Sequence, residues 1–386
     1  MIDEKKLKKI YKDSLEKTRV NLSDFAFKNE DAYRLKEENS DFLRSDFAID
    51  RDRILYSGAY RRYQGKTQVF SFTNFFDEEM TNRSTHTTYV SQISRTIGKR
   101  LNLNLELIEA VALGHDLGHS PFGHDGEVAL SECCKKYDIG QFHHNVQSLQ
   151  VTDFIAKGGM GLNLTFQVRD GMISHDGEVH NKILKPDRSK TEKDVQEFIK
   201  QKKAGVRATC LPATLEGCVV RISDTIAYIG QDIEDAIRYQ ILRAEDLPRD
   251  CTDYLGNSNG EIIDTLVKSV VVNSYGDDYA AFDDETSEYL FKLKKFNYAH
   301  IYTNPDIKRA KFIIKNSIEL LFEIYLNDIK TGNKESFVFQ QFLNRKGKSY
   351  LTKFSDAEKV RDFIATMTDR YFNEEVKKLL LPGKNL

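Results

Sequence analysis

The chain has 386 residues, a net charge of −2 and 40% apolar residues, enough for a sizeable core in one large domain or two ordinary ones. That charge offers no global basic field to draw it to nucleic acid or a membrane surface. Five cysteines, with Cys133 and Cys134 adjacent, lack metal-type spacing and read as reduced thiols of a cytoplasmic protein.

The opening MIDEKKLKKIYKDSL is charged and has no apolar h-region, so no signal peptide is expected. No apolar run approaches the roughly 20 residues that span a bilayer. Residues 1–45 read as a charged, partly helical, solvated segment, within an N-terminal unit set at 1–49. A core over 50–245 and a C-terminal helical region over 246–386 follow. Residues 50–76 carry Arg51, Arg53, Arg61, Arg62, Lys66 and Gln68, then VFSFTNFF. The cations suit phosphate oxygens; a solvated loop of ion pairs is the competing reading. VFSFTNFF alternates like a short strand or buried turn.

Six of the nine histidines fall between Thr85 and Ser148: His86, His115, His119, His124, His143 and His144. Most of this stretch reads as helix, with Val90, Ile93 and Ile97 and then Leu105, Ile108, Val111 and Ala112 at helical spacing. His115 and Asp116 end an apolar helix in ALGHDLGHSPFGH, where glycines and Pro121 open space beside them. A His/Asp mixture suits Mg²⁺, Mn²⁺, Fe²⁺ or Zn²⁺. His86 is a candidate third ligand. On a helix starting near Phe122, His124 and Glu127 are i, i+3 neighbours and form a ready acid–base pair.

From Lys157 to Pro212 the chain reads as loop, short helix, charged loop and helix. Lys182 and Lys185 could reach a phosphate or be solvated, and composition does not choose. His175 and His180 read as structural or exposed rather than as ligands. In TLEGCVVRISDTIAYIGQDIEDAIR, residues Asp224, Tyr228 and Asp232 line one helical face, and Asp224 supplies the missing carboxylate. Four further helices are predicted beyond residue 245. Tyr298, His300 and Tyr302 read as core-packing residues before base-pocket or interface residues.

The blocks DRDRILYSGAYRRYQGKTQVF, AVALGHDLGHSPFGHDGE, FHHNVQSLQV, GLNLT, ISDTIAYIGQDIEDAI and FIATMTDRYF stand in that order. Together they resemble the deoxyguanosine triphosphate triphosphohydrolase family of the HD phosphohydrolase superfamily, from about Asp50 to Tyr371 with an unmatched middle section. The resemblance implies a mainly α fold with an HD-domain helical core and additional C-terminal helices. It implies one divalent metal on His86, His115, Asp116 and Asp224, and cleavage of dNTPs to deoxynucleoside and inorganic triphosphate. Catalytic roles fall on His124 and Glu127, with His144 near the phosphates. Arg83 and His119 fall among the substrate contacts. Gln68 and Asp232 meet the sugar 3′-hydroxyl, and Tyr228 packs on the deoxyribose and excludes a 2′-hydroxyl. The family also suggests a homo-oligomer, up to a hexamer, with a second, activating dNTP. Two rival readings stand beside it: an HD-type monophosphatase or phosphodiesterase, and a non-catalytic dNTP-binding regulator. Nothing resembles a dedicated nucleic-acid stripe of basic and aromatic residues.

Overall fold

The computed structural model describes residues 4–39, 41–69, 81–175, 180–305 and 311–380. Among these, 18 α-helices stand against two strands of two residues each, so the mainly α expectation holds. The N-terminal half holds α1 (Glu4–Asn21), α2 (Asp46–Leu55), α3 (Gly58–Arg62), α4 (Arg83–Arg100), α5 (Leu105–Gly114), α6 (Gly123–Lys136), α7 (His144–Gln150), α8 (Ala156–Gly159) and α9 (Phe166–Ile173). Then come α10 (Glu192–Lys203), α11 (Leu215–Arg238), α12 (Arg249–Leu255), α13 (Asn259–Ser274) and α14 (Asp284–Asn297). The chain closes with α15 (Lys311–Thr331), α16 (Lys348–Lys353), α17 (Asp356–Ala365) and α18 (Asp369–Leu380). Strands β1 (Ile183–Leu184) and β2 (Ala280–Ala281) pair antiparallel, with Ile183 opposite Ala281.

Side-chain caps place the helices that matter for the site. Asn82 accepts from Thr85 N to start α4, Asn104 accepts from Glu106 N and Leu107 N to start α5, and Thr214 accepts from Gly217 N to start α11. Each oxygen satisfies a backbone N–H that the first helical turn leaves free. Helix α11 runs through the middle and packs on α4, α5, α9, α13 and α14. Its residues Leu215 to Ala227 are all buried, as expected of a helix enclosed on every side. The C-terminal helices close on the core through α15, which lies on α6 and α17.

The solvated N-terminal segment needs correction beyond α1. Phe27 N donates to the buried Glu216 at 2.9 Å, Arg34 pairs with Asp46 and Asp50, and Tyr33 stacks on Phe166 at 5.1 Å. The arginines of residues 50–62 divide. Arg51 bonds Asp52 and Glu109, and Arg53 bonds Glu38 and the carbonyls of Leu162 and Asn163. Both therefore serve structure. Lys66 is buried and donates to the carbonyls of His119 and Ala365, so it clamps backbone rather than reaching into the pocket. The proposed VFSFTNFF strand lies outside the described residues from Phe70 onward.

Candidate functional site

Three helices and one turn bring the histidines together. His86 sits in the first turn of α4, below the apolar face made by Val90, Ile93 and Ile97. His115 and Asp116 follow the last turn of α5, where His115 Nδ1 donates to Ala112 O at 2.7 Å. That bond fixes the tautomer and turns Nε2 into the pocket, where it has no hydrogen-bond partner. Asp224 faces them from α11, its Oδ1 2.9 Å from His86 Nε2 and 3.9 Å from His115 Nε2. Donor atoms of His86, His115 and Asp116 lie within 4.8 Å of one another. This is a buried His/Asp cluster that could hold a divalent ion, and the orphaned His115 nitrogen fits that use.

The turn after Asp116 depends on two glycines. A Cβ on Gly118 would meet His144 O and Ser148 N at 2.2 Å each, so only glycine lets α7 approach this closely. Phe122 and Gly123 both take positive φ, of 62° and 54°, and a Cβ on Gly123 would meet Gln68 O at 3.2 Å and Arg83 Nη2 at 3.3 Å. Asp369, first residue of α18, holds this corner by accepting from Phe122 N at 3.0 Å and Thr67 N at 3.0 Å. Gln68 and His124 of α6 are thereby tied to the C-terminal region.

One cleft is lined by Gln68, Arg83, His86, Asp116, His119, His124, His144, His175, Asp224 and Tyr228. A larger cavity of about 340 Å³ opens beside it, shares His124 and His144 with it and is lined also by Glu127. Glu127 receives the ring of His144 at 2.9 Å and that of His124 at 3.4 Å, and the backbone N of His144 at 2.9 Å. The nearer imidazole is thus His144, while the His124 side chain is 58% exposed. His119 stacks on His144 at 4.0 Å. Arg83, fully buried, donates to Asp116 Oδ2 at 2.5 Å. Asp232 lies outside the cleft lining and accepts from Tyr302 Oη at 2.5 Å.

The electrostatics follow from burial and pairing. Burial pushes Asp116 up, but His119, His115 and Arg83 outweigh it and hold the carboxyl well below its usual range. Glu127 is likewise pushed up by burial and then brought well down by His144 and His124. Burial lowers His86, yet Asp224 overcomes this and the net shift is upward. His119 is held well down by burial and by Arg83. Burial raises Asp232 to about 7 against the opposing Tyr302 bond.

His175, read as structural or exposed, is buried and lines the cleft. It is buried at the end of α9, 3.6 Å from Asp116 Oδ1 and 3.2 Å from His144 Nε2. Neither periodicity nor a neighbouring motif marks it. Tyr302, read as core-packing before base-pocket, bonds Asp232, and the role of Asp369 at the Phe122 corner has no counterpart in the sequence reading. Lys182 pairs with Asp284, and Lys185 lies over the Tyr279 ring at 5.7 Å. All five cysteines are free and buried.

Residues 83–229 match the HD domain and residues 280–378 match a phosphohydrolase-associated domain. Fold and site together define an HD-domain hydrolase. A deoxyguanosinetriphosphate triphosphohydrolase-like protein of Caldanaerobacter subterraneus subsp. tengcongensis is 37% identical over 363 residues, 94% of this chain and 93% of its own length. One from Clostridium perfringens is 36% identical over 374 residues, covering 94% and 95%, and one from Rickettsia prowazekii is 30% identical over 390, covering 91% and 96%. The chain belongs to this family of deoxyguanosinetriphosphate triphosphohydrolase-like proteins.

Proposed function

We propose that the protein hydrolyses dNTPs, dGTP or several of them, to deoxynucleoside and inorganic triphosphate. The observation that carries the reading is the buried His86, His115, Asp116 and Asp224 cluster, with the His144–Glu127–His124 group against its edge. A divalent ion on the four ligands would polarise a phosphoryl oxygen and lower the pKa of a bound water. Magnesium, manganese, iron and zinc all suit this donor set.

Glu127 orients His144 and steadies positive charge on it, and holds His124 at the pocket mouth. From there His124 can deliver a proton to a 5′-oxygen leaving group or take one from water. Arg83, locked on Asp116, and His119 face the phosphates. Tyr228 lies one turn from Asp224, where it covers the sugar and leaves no room for a 2′-hydroxyl. Gln68, whose Oε1 is buried without a hydrogen-bond partner, and Asp232 serve the 3′-hydroxyl. Tyr302 holds Asp232 in place for that role.

Activation by a second dNTP needs a second anion site. A separate cleft of about 540 Å³ is lined by Arg61, Arg62, Lys157, Arg345 and Lys346 with no carboxylate, beside the aromatic rings of Phe342 and Tyr371. This cleft is our candidate for the effector. Arg62→Ala is expected to lose stimulation by a second dNTP while keeping basal turnover. The reading also places the protein in the cytoplasm as a homo-oligomer.

The direct test is turnover of dGTP by metal-stripped protein with Mg²⁺ or Mn²⁺ restored. Wild type should recover activity, and His115→Ala and Asp224→Ala should fall by about a thousandfold or more, about 4 kcal/mol of barrier. Full activity in His115→Ala would refute the assignment.

A further inference from the structure

Outside the cleft, Lys190 and Cys210 meet beside the end of α9. The Lys190 ammonium donates to Asp170 Oδ1 at 2.5 Å, to Leu211 O at 2.7 Å and to Ser174 Oγ at 2.9 Å. Its nitrogen also lies 2.8 Å from Cys210 Sγ. That is the range of an N–H···O bond, about 2.7–3.2 Å, although sulfur is a larger atom than oxygen. An ammonium has three N–H bonds, and the three oxygens account for them. The sulfur stands against the nitrogen as a fourth neighbour, in close contact.

The surroundings favour reaction at this sulfur. Arg221 Nη1 donates to Cys210 O at 2.9 Å and to Ser174 O at 3.2 Å, so two cations flank the residue. Cations beside a cysteine favour the thiolate, which is the reactive form. Burial works the other way on the remaining four cysteines. It pushes the thiols of Cys133 and Cys134 up to about 12 and that of Cys251 up to about 11, and raises Cys218 further. Those four are at most 1% exposed, whereas Cys210 is 8% exposed. Its chain neighbours Thr209 and Leu211 are both exposed, which gives a small oxidant a path to the sulfur.

We infer that Lys190 and Cys210 form a covalent, thiol-reversible cross-link when the protein meets a peroxide. In the first step the Cys210 sulfur attacks the O–O bond of hydrogen peroxide. Sulfur is oxidised to sulfenic acid and the peroxide is reduced, releasing one water. In the second step Lys190 passes a proton to Asp170, and its nitrogen lone pair attacks Sγ. The S–O bond breaks, and hydroxide leaves as water with a second proton from the nitrogen. The product is an S–N bond, the sulfenamide that sulfenic acids also form with backbone nitrogen. Reacting atoms about 3–3.5 Å apart are already placed for attack, and the 2.8 Å contact lies inside that distance. A thiol reverses the link by attacking sulfur, which returns the Lys190 amine and leaves Cys210 in a mixed disulfide that a second thiol reduces. The link joins the two sides of α10 and removes the charge that Lys190 sets against the buried Asp170. Ser174, bonded to Lys190, directly precedes His175 of the cleft, so the cross-link reaches the candidate site through one peptide bond.

The simpler alternative is a buried ion pair beside an inert thiol, and peptide mapping separates the two without reference to activity. The whole protein is treated with hydrogen peroxide, quenched with catalase, unfolded without reductant, alkylated and digested with trypsin. Cys210 should be the first of the five cysteines lost to alkylation. Mass spectrometry should find the Lys190 and Cys210 peptides joined, lighter than their sum by two hydrogens, and separated again by dithiothreitol. The joined pair should be absent in Cys210→Ser and in Lys190→Arg, whose guanidinium keeps the charge beside Asp170. Cys210 recovered from wild type only as free thiol or as sulfinic acid would overturn the cross-link. A joined pair heavier by one oxygen, or one that dithiothreitol leaves intact, would overturn the S–N bond. The wild-type map decides even where a variant fails to fold.

Discussion

At the scale of single residues, two side chains on α11 carry separable expectations. Tyr228 shares a face with Asp224, so removing its ring should open space for a 2′-hydroxyl without touching a ligand. Tyr228→Ala is expected to narrow the dGTP-to-GTP ratio of kcat/KM by about 10–100-fold, roughly 1.4–2.7 kcal/mol, read from paired kinetics. Glu216, eight residues before Asp224, accepts from Phe27 N at 2.9 Å and Asn104 N at 3.0 Å and is raised to about 7 by burial. In the unfolded chain it ionises near pH 4.5. Between those values the folded state holds a proton that the unfolded state has released, so its contribution to stability falls as pH rises. Glu216→Gln cannot ionise and keeps an acceptor oxygen. Relative to wild type it should gain up to about 3 kcal/mol between pH 4.5 and 7, measured by urea melts across that range. A parallel pair of curves would contradict it.

At the scale of elements, the site is a turn held between helices. Gly118→Ala should cost about 1–3 kcal/mol or more, because backbone of α7 and not a flexible side chain occupies the space. His144 should move with α7, so a thermal melt and kcat should both register the change. Asp369→Ala should cost about 1–3 kcal/mol by leaving Phe122 N and Thr67 N without an acceptor. Helices α4, α5 and α11 were legible in the sequence because Asn82, Asn104 and Thr214 cap clear apolar repeats. In residues 157–212 the order of loop, short helix, charged loop and helix was legible and matches α9 and α10, but the burial of α9 was not. Helix α9 is buried along its whole length, yet it carries Arg169 and Asp170, which read as surface charges. Their partners explain the burial: Arg169 meets Asp153 and Glu192, and Lys190 meets Asp170. These partners are distant or charged themselves, so no local pattern announces them, and His175 at the end of α9 went unseen with its helix. The cluster of His86, His115, Asp116 and Asp224 was legible through spacing and resemblance. The preference of Glu127 for His144 over His124 was not, because it depends on how α7 crosses α6.

At the scale of the whole molecule, no helix among the described residues is long and apolar enough to cross a membrane. Binding of a divalent ion should stabilise the folded chain by mass action, about 2.7 kcal/mol at a hundredfold excess over Kd. Adding Mn²⁺ to stripped protein should therefore raise Tm, and Asp224→Ala should abolish the rise. Light scattering with and without dNTP tests the proposed assembly, which should be larger than a monomer. The central claim concerns which bond breaks, and phosphorus NMR of the products answers it directly. Protein loaded with Mg²⁺ and given each dNTP, alone and in pairs, should release inorganic triphosphate with an equal amount of deoxynucleoside. Release of orthophosphate or pyrophosphate from dNTPs, or turnover of deoxynucleoside monophosphates alone, would contradict the account.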